Sequence, residues 1–280
     1  MTRAKLTEFR GQPAVALQAP DGARATILVH GGQVVSWTPA GGEEQLYLSP
    51  DSRFGPGASI RGGVPVIFPQ FAARGPLPRH GLLRTRAWQI DESLARARHA
   101  QAVMRFAATD ETRAIWPHEF TVELTVSISG RQIDIELAVI NTGDAPFTFT
   151  AALHTYLRTG DVLRAQLEGL QTVRYEDSLT GQWQQQWGDV TQVVGAIDRI
   201  YHEVGRGLTL REAGRRLAIA QSGFADAVVW NPGPDGAAEL SDLPDGDWKH
   251  MLCIEAAQIV EPVVLQPGDE WVAMQTLKAE

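Results

Sequence analysis

The sequence is poor in cysteine and has no long apolar run. Its 280 residues include one cysteine, Cys253, which excludes an internal disulfide and a cysteine-based zinc cluster. No segment approaches the ~20 consecutive apolar residues of a membrane-spanning helix. Residues 1–20 also lack the apolar stretch of a secretory signal. We therefore expect a soluble cytoplasmic protein that does not associate with membranes.

Excess positive charge and several common catalytic motifs are missing too. The net charge of -8 argues against general binding to nucleic acids, so we expect no nucleic-acid partner. The chain has no G-x-x-x-x-G-K-[ST] loop and no G-x-S-x-G turn. Its seven histidines show no metal-ligand spacing such as H-E-x-x-H. P-loop, serine-hydrolase and zinc chemistry therefore have no support.

Short segments of alternating polarity dominate the sequence. The run "TVELTVSI" is followed by the turn "SGR" and by "QIDIELAVI", and every second residue is apolar in both runs. This pattern predicts a β-hairpin whose buried faces carry Val122, Leu124, Val126, Ile128, Ile133, Ile135, Leu137 and Val139. The run "RATILVH-GG-QVVSWTP" predicts a second hairpin around Gly31 and Gly32.

Helical periodicity is scarce. The segment "DETRAIW" predicts one short helical turn that ends before Pro117. The segment "DESLARARHA" has helix propensity, but its neighbours favour strand and turn. Many short strands with frequent turns indicate a β-sandwich or barrel. Because no linker or repeat divides the chain, we predict a single all-β domain over residues 1–280.

One strand carries a histidine on its polar face. In "APFTFTAALHTYL" the residues Phe147, Phe149 and Leu153 share an apolar face, whereas His154 and Tyr156 lie on the opposite, hydroxyl-rich face. Such a face suits a sugar-binding concavity. From the pattern alone, His154 is a candidate acid–base group or a partly exposed histidine on a solvated sheet.

A second strand carries a lone carboxylate. Glu255 is the only charge in "HMLCIEAAQIV", and a buried carboxylate must be paired, hydrogen-bonded or protonated. Apolar surroundings raise the pKa of such a group, which is one way to make a general base near neutral pH. A structural glutamate held by backbone amides or an arginine is the alternative.

The stretch "SIRGGVPVIFPQFAARGPLPRHGLLRTRAW" is the best candidate for a local basic patch. It combines Arg61, Arg79, His80, Arg84 and Arg86 with many prolines and glycines. Proline and glycine at fixed positions restrict the path of a loop. Rigidly mounted arginines suit an anion site, and surface arginines on a loop are the alternative reading of Arg79 and Arg86.

Seven motifs occur in register over roughly residues 25–277. They read "IRGGVPVIFPQF", "PRHGLLRTRAW", "TRAIWPHEF", "ALHTYL", "AIDRIY", "VVWNPG" and "CIEAAQI". Together they resemble the aldose 1-epimerase superfamily, and more closely its glucose-6-phosphate 1-epimerase (hexose-6-phosphate mutarotase) branch. The resemblance implies a large antiparallel β-supersandwich with few short helices. It also implies interconversion of sugar anomers, a small-molecule sugar-phosphate ligand, no redox cofactor and no metal. We expect a monomer or a weak oligomer.

The resemblance also implies site residues. His154 matches the family's general acid and Glu255 its general base. Arg61 and Arg84 match residues that contact phosphate or substrate, and Asp198 matches a substrate-binding aspartate. His80 matches a position that contacts sugar hydroxyls or braces the loop. Relatives often have Gln where this chain has Arg79, and the role of Arg79 therefore stays open between a further phosphate contact and an outward-facing side chain.

Two other functions remain open at this point. A mutarotase of unphosphorylated aldoses would use the same His154 and Glu255 but would leave Arg61 and Arg84 without a task. A non-catalytic sugar-phosphate-binding protein would need neither the acid nor the base.

Overall fold

The structure is a computed structural model that describes residues 3–95 and 99–280. In chain order its strands are β1 (Arg3–Phe9), β2 (Gln12–Gln18), β3 (Arg24–Leu28), β4 (Val34–Thr38), β5 (Val66–Ile67), β6 (Gln89–Ala95), β7 (Ala100–Ala107), β8 (Phe120–Ser129), β9 (Gln132–Asn141), β10 (Phe147–Leu153), β11 (Tyr156–Arg158), β12 (Gln166–Glu168), β13 (Arg174–Asp177), β14 (Gln182–Gln185), β15 (Val190–Thr191), β16 (Ile197–Tyr201), β17 (Leu208–Glu212), β18 (Arg215–Ser222), β19 (Asp226–Asn231), β20 (Met251–Leu265) and β21 (Glu270–Ala279). The helical elements are α1 (Asp110–Ile115), α2 (Gly233–Ala238) and the 3₁₀ turns Val162–Arg164 and Asp247–His250.

The strands form three antiparallel sheets. A four-stranded sheet has the order β1-β2-β3-β4. An eight-stranded sheet has the order β14-β13-β16-β19-β20-β10-β5, with β11 also paired to β20. A nine-stranded sheet has the order β15-β12-β17-β18-β21-β9-β8-β7-β6. The predicted fold class, a large antiparallel β-supersandwich with few short helices, is therefore confirmed.

The main core joins the eight-stranded and nine-stranded sheets, and the four-stranded sheet contributes Leu17, Ile27 and Trp37 to it. Alternate residues of β8 and β9 are buried, as the period-2 pattern predicts. Phe149 of the eight-stranded sheet packs edge-on against Trp271 of the nine-stranded sheet, with 5.5 Å between ring centroids. The two sheets are also joined by the buried Gln275, whose Nε2 donates to the carbonyl of Ile254 and whose Oε1 accepts from Thr155 Oγ1.

The local predictions agree with this architecture. β8 pairs with β9 in the predicted hairpin, and β3 pairs with β4 in the other. Helix α1 begins after Thr109, whose hydroxyl accepts from the Thr112 backbone, and ends before Pro117. In "DESLARARHA" the residues up to Ala95 belong to strand β6, and residues 96–98 lie outside the described part of the chain. None of the described helices has the length and apolar character needed to cross a bilayer.

Candidate active site

A cavity of about 660 Å³ opens on the outer face of the eight-stranded sheet. The structure places every sequence-predicted site residue in its wall: Arg61, Arg79, His80, Arg84, His154, Asp198 and Glu255. These residues come from positions far apart in the chain, so the fold brings them together. The wall is completed by Ser59, Arg74, Tyr156, Glu176 and Trp230 among others.

Strand register explains how the sheet contributes to this wall. Residues directly opposite each other in antiparallel strands point to the same face. One row across four strands contains Asp198, Trp230, Cys253 and Tyr156. The next row contains Glu176, Ile200, Val228 and Glu255. A one-residue slip of β20 would turn Glu255 into the core, so the register itself positions this carboxylate.

His154 sits in the short break between β10 and β11. Its backbone N–H donates to the carbonyl of Pro65 at 3.0 Å, which continues the register of β10 with β5 by one residue. Its ring stacks almost parallel on Tyr156, with 4.8 Å between centroids and 11° between planes. Trp230 meets the same ring edge-on at 6.0 Å. These contacts leave the imidazole little freedom to rotate.

His154 and Glu255 face each other at the bottom of the cavity. The distance from His154 Nε2 to Glu255 Oε1 is 3.4 Å, and the two residues are 8% and 1% exposed. His154 Nδ1 and Glu255 Oε2 form no hydrogen bond with the described residues. A carboxyl and an imidazole this close form a coupled pair that can pass a proton between its members.

The surroundings shift the pKa values of Glu255 and His154 in opposite directions. Burial, and then the charge of Asp198, raise the pKa of Glu255 well above its ordinary value. Burial, and then His80, Arg84 and Arg61, lower the pKa of His154 well below its ordinary value. An ionised Glu255 is therefore a stronger base than an ordinary carboxylate, and a protonated His154 is a stronger acid than an ordinary imidazolium.

His80 lies beside this pair as a neutral ring. Burial, and then Arg84, Arg79 and Arg61, lower the pKa of His80 to about 3. Its Nδ1 accepts a hydrogen bond from the backbone of Ala72 at 3.4 Å, which assigns the ring proton to Nε2. The ring meets His154 edge-on, with 5.5 Å between centroids. His80 can thus donate a hydrogen bond without carrying charge.

Arg61 is held at both backbone and side chain. Its N–H donates to Ser52 Oγ at 3.0 Å, and its carbonyl accepts from the same hydroxyl at 3.0 Å. The next residue, Gly62, has a φ of +120°, and a Cβ there would lie 2.4 Å from the carbonyl oxygen of Tyr47. The guanidinium Nε donates to Asp242 at 2.7 Å. Only glycine permits this close path, which sets the direction of Arg61.

The loop that carries Arg79 is braced from inside by Gln70. The Gln70 side chain donates to the carbonyls of Ala72 and Leu77 and accepts from the Leu77 N–H at 2.9 Å. Arg84 Nη2 donates to the Arg79 carbonyl at 3.3 Å. The loop is therefore ordered by backbone contacts rather than by ion pairs of Arg79 or Arg84.

The four arginines of the wall differ in their partners. Arg61 pairs with Asp242, and Arg74 pairs with Glu176 across the cavity. Arg79 and Arg84 form no ion pair with the residues that the structure describes. Burial lowers the pKa of Arg84, and the charges of Arg79 and Arg61 lower it further, while Tyr156 and Asp242 offset part of this shift.

Arg86 is not part of the cavity wall. Its Nη1 donates to the carbonyl of Leu82 at 2.5 Å, within its own loop. Asp198, by contrast, faces the cavity from β16. Burial raises the pKa of Asp198, while a hydrogen bond with Ser178 and the charge of Arg79 work in the opposite direction.

Sequence reasoning missed several residues of this wall and one that supports it from outside. Trp230 lies in the motif "VVWNPG", two positions after Val228 on the same face of β19, and this period-2 spacing is the signal that could have found it. The ion pair of Arg74 with Glu176 joins residues 102 positions apart in the sequence, and that of Arg61 with Asp242 joins residues 181 positions apart. No local pattern reveals such pairings.

The cavity can be compared with known proteins. The aldose 1-epimerase family matches residues 13–278 of the chain. A protein from Cenchrus ciliaris named "Putative glucose-6-phosphate 1-epimerase" is 34% identical over 96% of this chain and 85% of its own length. A protein of the same name from Escherichia coli K12 is 31% identical over 85% of this chain and 81% of its own length.

Solved structures agree with this relationship. A structure described as a "putative mutarotase" from Salmonella typhimurium has a TM-score of 0.90 at 25% identity and covers 100% of this chain and 96% of its own. Galactose 1-epimerase from Lactobacillus acidophilus has a TM-score of 0.72 at 14% identity, covering 100% of this chain and 98% of its own, a likeness of fold alone. From its sequence match over residues 13–278 and from these relatives, the chain belongs to the aldose 1-epimerase family.

Proposed function

We propose that this protein interconverts the α and β anomers of hexose 6-phosphates, with glucose 6-phosphate as the favoured substrate. One observation carries the proposal. A single cavity combines a buried carboxyl–imidazole pair with two guanidinium groups that have no carboxylate partner among the described residues. The pair supplies acid–base chemistry, and the arginines supply a site for an anion.

The acid–base pair suits ring opening. Glu255 removes the proton from the C1 hydroxyl, and His154 protonates the ring oxygen as its bond to C1 breaks. Both oxygens are bonded to C1, so a carboxylate and an imidazole 3.4 Å apart are close enough together to serve them. The open-chain aldehyde rotates about C1–C2 and recloses on its other face with the two roles reversed, which returns each proton.

The pKa shifts lower the population of the reactive pair but strengthen both of its members. A raised pKa of Glu255 and a lowered pKa of His154 favour a protonated carboxyl beside a neutral imidazole, so the pair first passes its proton from Glu255 to His154 across 3.4 Å. The ionised Glu255 is then a stronger base, and the protonated His154 a stronger acid, than the ordinary groups, which increases the driving force for each transfer. Positioned acids and bases contribute on the order of 10²–10⁴-fold each. Mutarotation already proceeds in water, so contributions of this size are sufficient.

The arginines suit the phosphate. A hexose 6-phosphate carries nearly two negative charges, and a planar guanidinium can hold phosphate oxygens through two hydrogen bonds. Arg61 Nη1 lies 3.5 Å from the hydroxyl of Tyr156, whose ring stacks on His154. Tyr156 therefore contacts both Arg61 and the acid. The names of the relatives support the same substrate class.

The two other functions fit the cavity less well. A mutarotase of unphosphorylated sugars would use the same pair but would leave the charges of Arg79 and Arg84 uncompensated. A non-catalytic sugar-phosphate-binding protein would need no buried carboxyl in contact with an imidazole, and burying such a group costs free energy.

The test is anomer exchange measured by NMR on glucose 6-phosphate and on glucose, side by side. We expect kcat/KM to be at least about tenfold higher for glucose 6-phosphate, since each charge-assisted contact contributes that much or more. Equal rates on both sugars would support the unphosphorylated substrate class instead. Binding of glucose 6-phosphate without faster exchange would support the non-catalytic alternative.

A further inference from the structure

Arg61 is fixed by a carboxylate that lies outside the cavity wall. Its Nε donates to Asp242 Oδ1 at 2.7 Å, and both side chains are largely buried, at 18% and 23% exposure. The described residues offer its outer nitrogens one further contact, the long 3.5 Å approach of Nη1 to the Tyr156 hydroxyl. The inner edge of the guanidinium is therefore occupied, and its outer edge is available to a ligand.

Asp242 reaches Arg61 from behind. It lines a separate, shallower depression next to the cavity, together with Arg53, Ala58 and Glu239. It is not among the residues that line the cavity containing His154 and Glu255. A substrate in that cavity would contact Arg61 but not Asp242.

The segment that carries Asp242 is tied to the segment that carries Arg61. Ser49 joins them directly, because its Oγ donates to the Asp242 carbonyl at 2.6 Å and its N–H donates to the Arg61 carbonyl at 3.0 Å. Two residues earlier, the hydroxyl of Tyr47 donates to Asp247 at 2.7 Å. The segments that carry Asp242 and Arg61 are therefore held together by Tyr47 and Ser49.

We propose that Asp242 is a positioning residue for Arg61 and thereby sets the preference for phosphorylated over unphosphorylated sugars. This inference rests on the proposed function. A guanidinium presents its donors in a rigid plane, so a partner that fixes Nε also fixes where Nη1 and Nη2 point. An arginine held in this way does not have to be ordered again when the phosphate arrives.

A double-mutant cycle tests the inference, with anomer exchange on glucose 6-phosphate and on glucose as readout. Asp242→Ala should raise the KM for glucose 6-phosphate by about tenfold, with a smaller change in kcat and no change with glucose. In the Arg61→Ala background, Asp242→Ala should have no further effect, because it acts only through that side chain. Asp242→Asn keeps an acceptor for Nε and should recover most of the loss.

Asp245→Ala is the matched control. Asp245 is exposed on the same segment and does not contact Arg61, so the substitution removes the same charge without disturbing the arginine. The inference is overturned if Asp242→Ala leaves the KM for glucose 6-phosphate unchanged or lowered, if it impairs both sugars equally, or if its effect multiplies with that of Arg61→Ala. The inference is also overturned if Asp245→Ala raises the KM for glucose 6-phosphate as much as Asp242→Ala does. If Arg61→Ala itself keeps the sugar-phosphate preference, the failure lies in the phosphate role proposed for Arg61 instead.

Discussion

His154 and Glu255 stand on or beside the strands of the eight-stranded sheet, whereas Arg61, Arg79 and Arg84 stand on loops between Ser59 and Trp88. We call the first group the acid–base end and the second the arginine end. Strand register and aromatic packing fix the acid–base end, which has few hydrogen bonds. Buried polar side chains fix the arginine end.

The two ends differ because proton transfer and anion binding need different surroundings. A proton-transfer group gains from a dry, apolar surrounding, because burial shifts its pKa. An anion-binding arginine gains from a defined direction, because its donors are planar. Ser52, Gln70 and Asp242 supply that direction without entering the cavity wall. Mutations can therefore separate the two ends.

The largest effect is expected at the acid–base end. Glu255→Gln removes the proposed base and His154→Ala removes the proposed acid, so each should lower the exchange rate by on the order of 10²-fold or more. The loss should be equal on glucose 6-phosphate and glucose, because both sugars present the same C1. Circular dichroism would verify the fold, and near-wild-type exchange by either variant would contradict these roles.

A smaller and selective effect is expected at the arginine end. Arg84→Ala should reduce kcat/KM for glucose 6-phosphate roughly ten- to hundredfold, the value of a lost charge-assisted contact. It should change glucose much less, because Arg84 acts on that sugar only through its charge near His154. Arg86→Ala is the matched control in the same loop, since Arg86 bonds to the Leu82 carbonyl and lies outside the wall. Equal losses on both sugars would make Arg84 structural.

The smallest effect concerns stability. Burial and Asp198 raise the folded-state pKa of Glu255 above its ordinary value of 4.5, so the folded protein holds this proton more tightly than the unfolded chain does. Below that value both states are protonated and no penalty arises. As pH rises above it, the unfolded chain releases the proton first and the free energy of unfolding falls.

Glu255→Gln avoids this penalty and should melt at a higher temperature than the wild type at neutral pH, by about 2–4 °C for each kcal/mol gained. The difference should vanish below the ordinary carboxyl pKa. Glu176→Gln is the control, because Glu176 faces the same cavity but is paired with Arg74 and should bring no gain. A Glu255→Gln variant that melts lower at neutral pH would show that Glu255 stabilises the fold.

The sequence predicts the acid–base end better than the arginine end. The alternation around His154 and Glu255 indicates which face of a strand each occupies, and the β-sandwich class follows from the same period. Proline and glycine mark the arginine loops but do not specify their contacts. Asp242 and Glu176 have no local signal, because their partners lie 181 and 102 residues away and are set by the packing of whole segments. Only the structure shows these two ion pairs.

The pairing of β10 with both β5 and β20 has a consequence for how the protein is made. The central sheet joins residues 66–67 to residues 251–265, and contacts at such separation form slowly because long loops must close first. A nascent chain that has not yet reached β20 lacks Glu255 and one side of the sheet that supports His154. The candidate active site therefore forms only after the chain has been synthesised as far as β20 and has folded, so the recovery of anomer exchange after denaturation should report a late stage of folding.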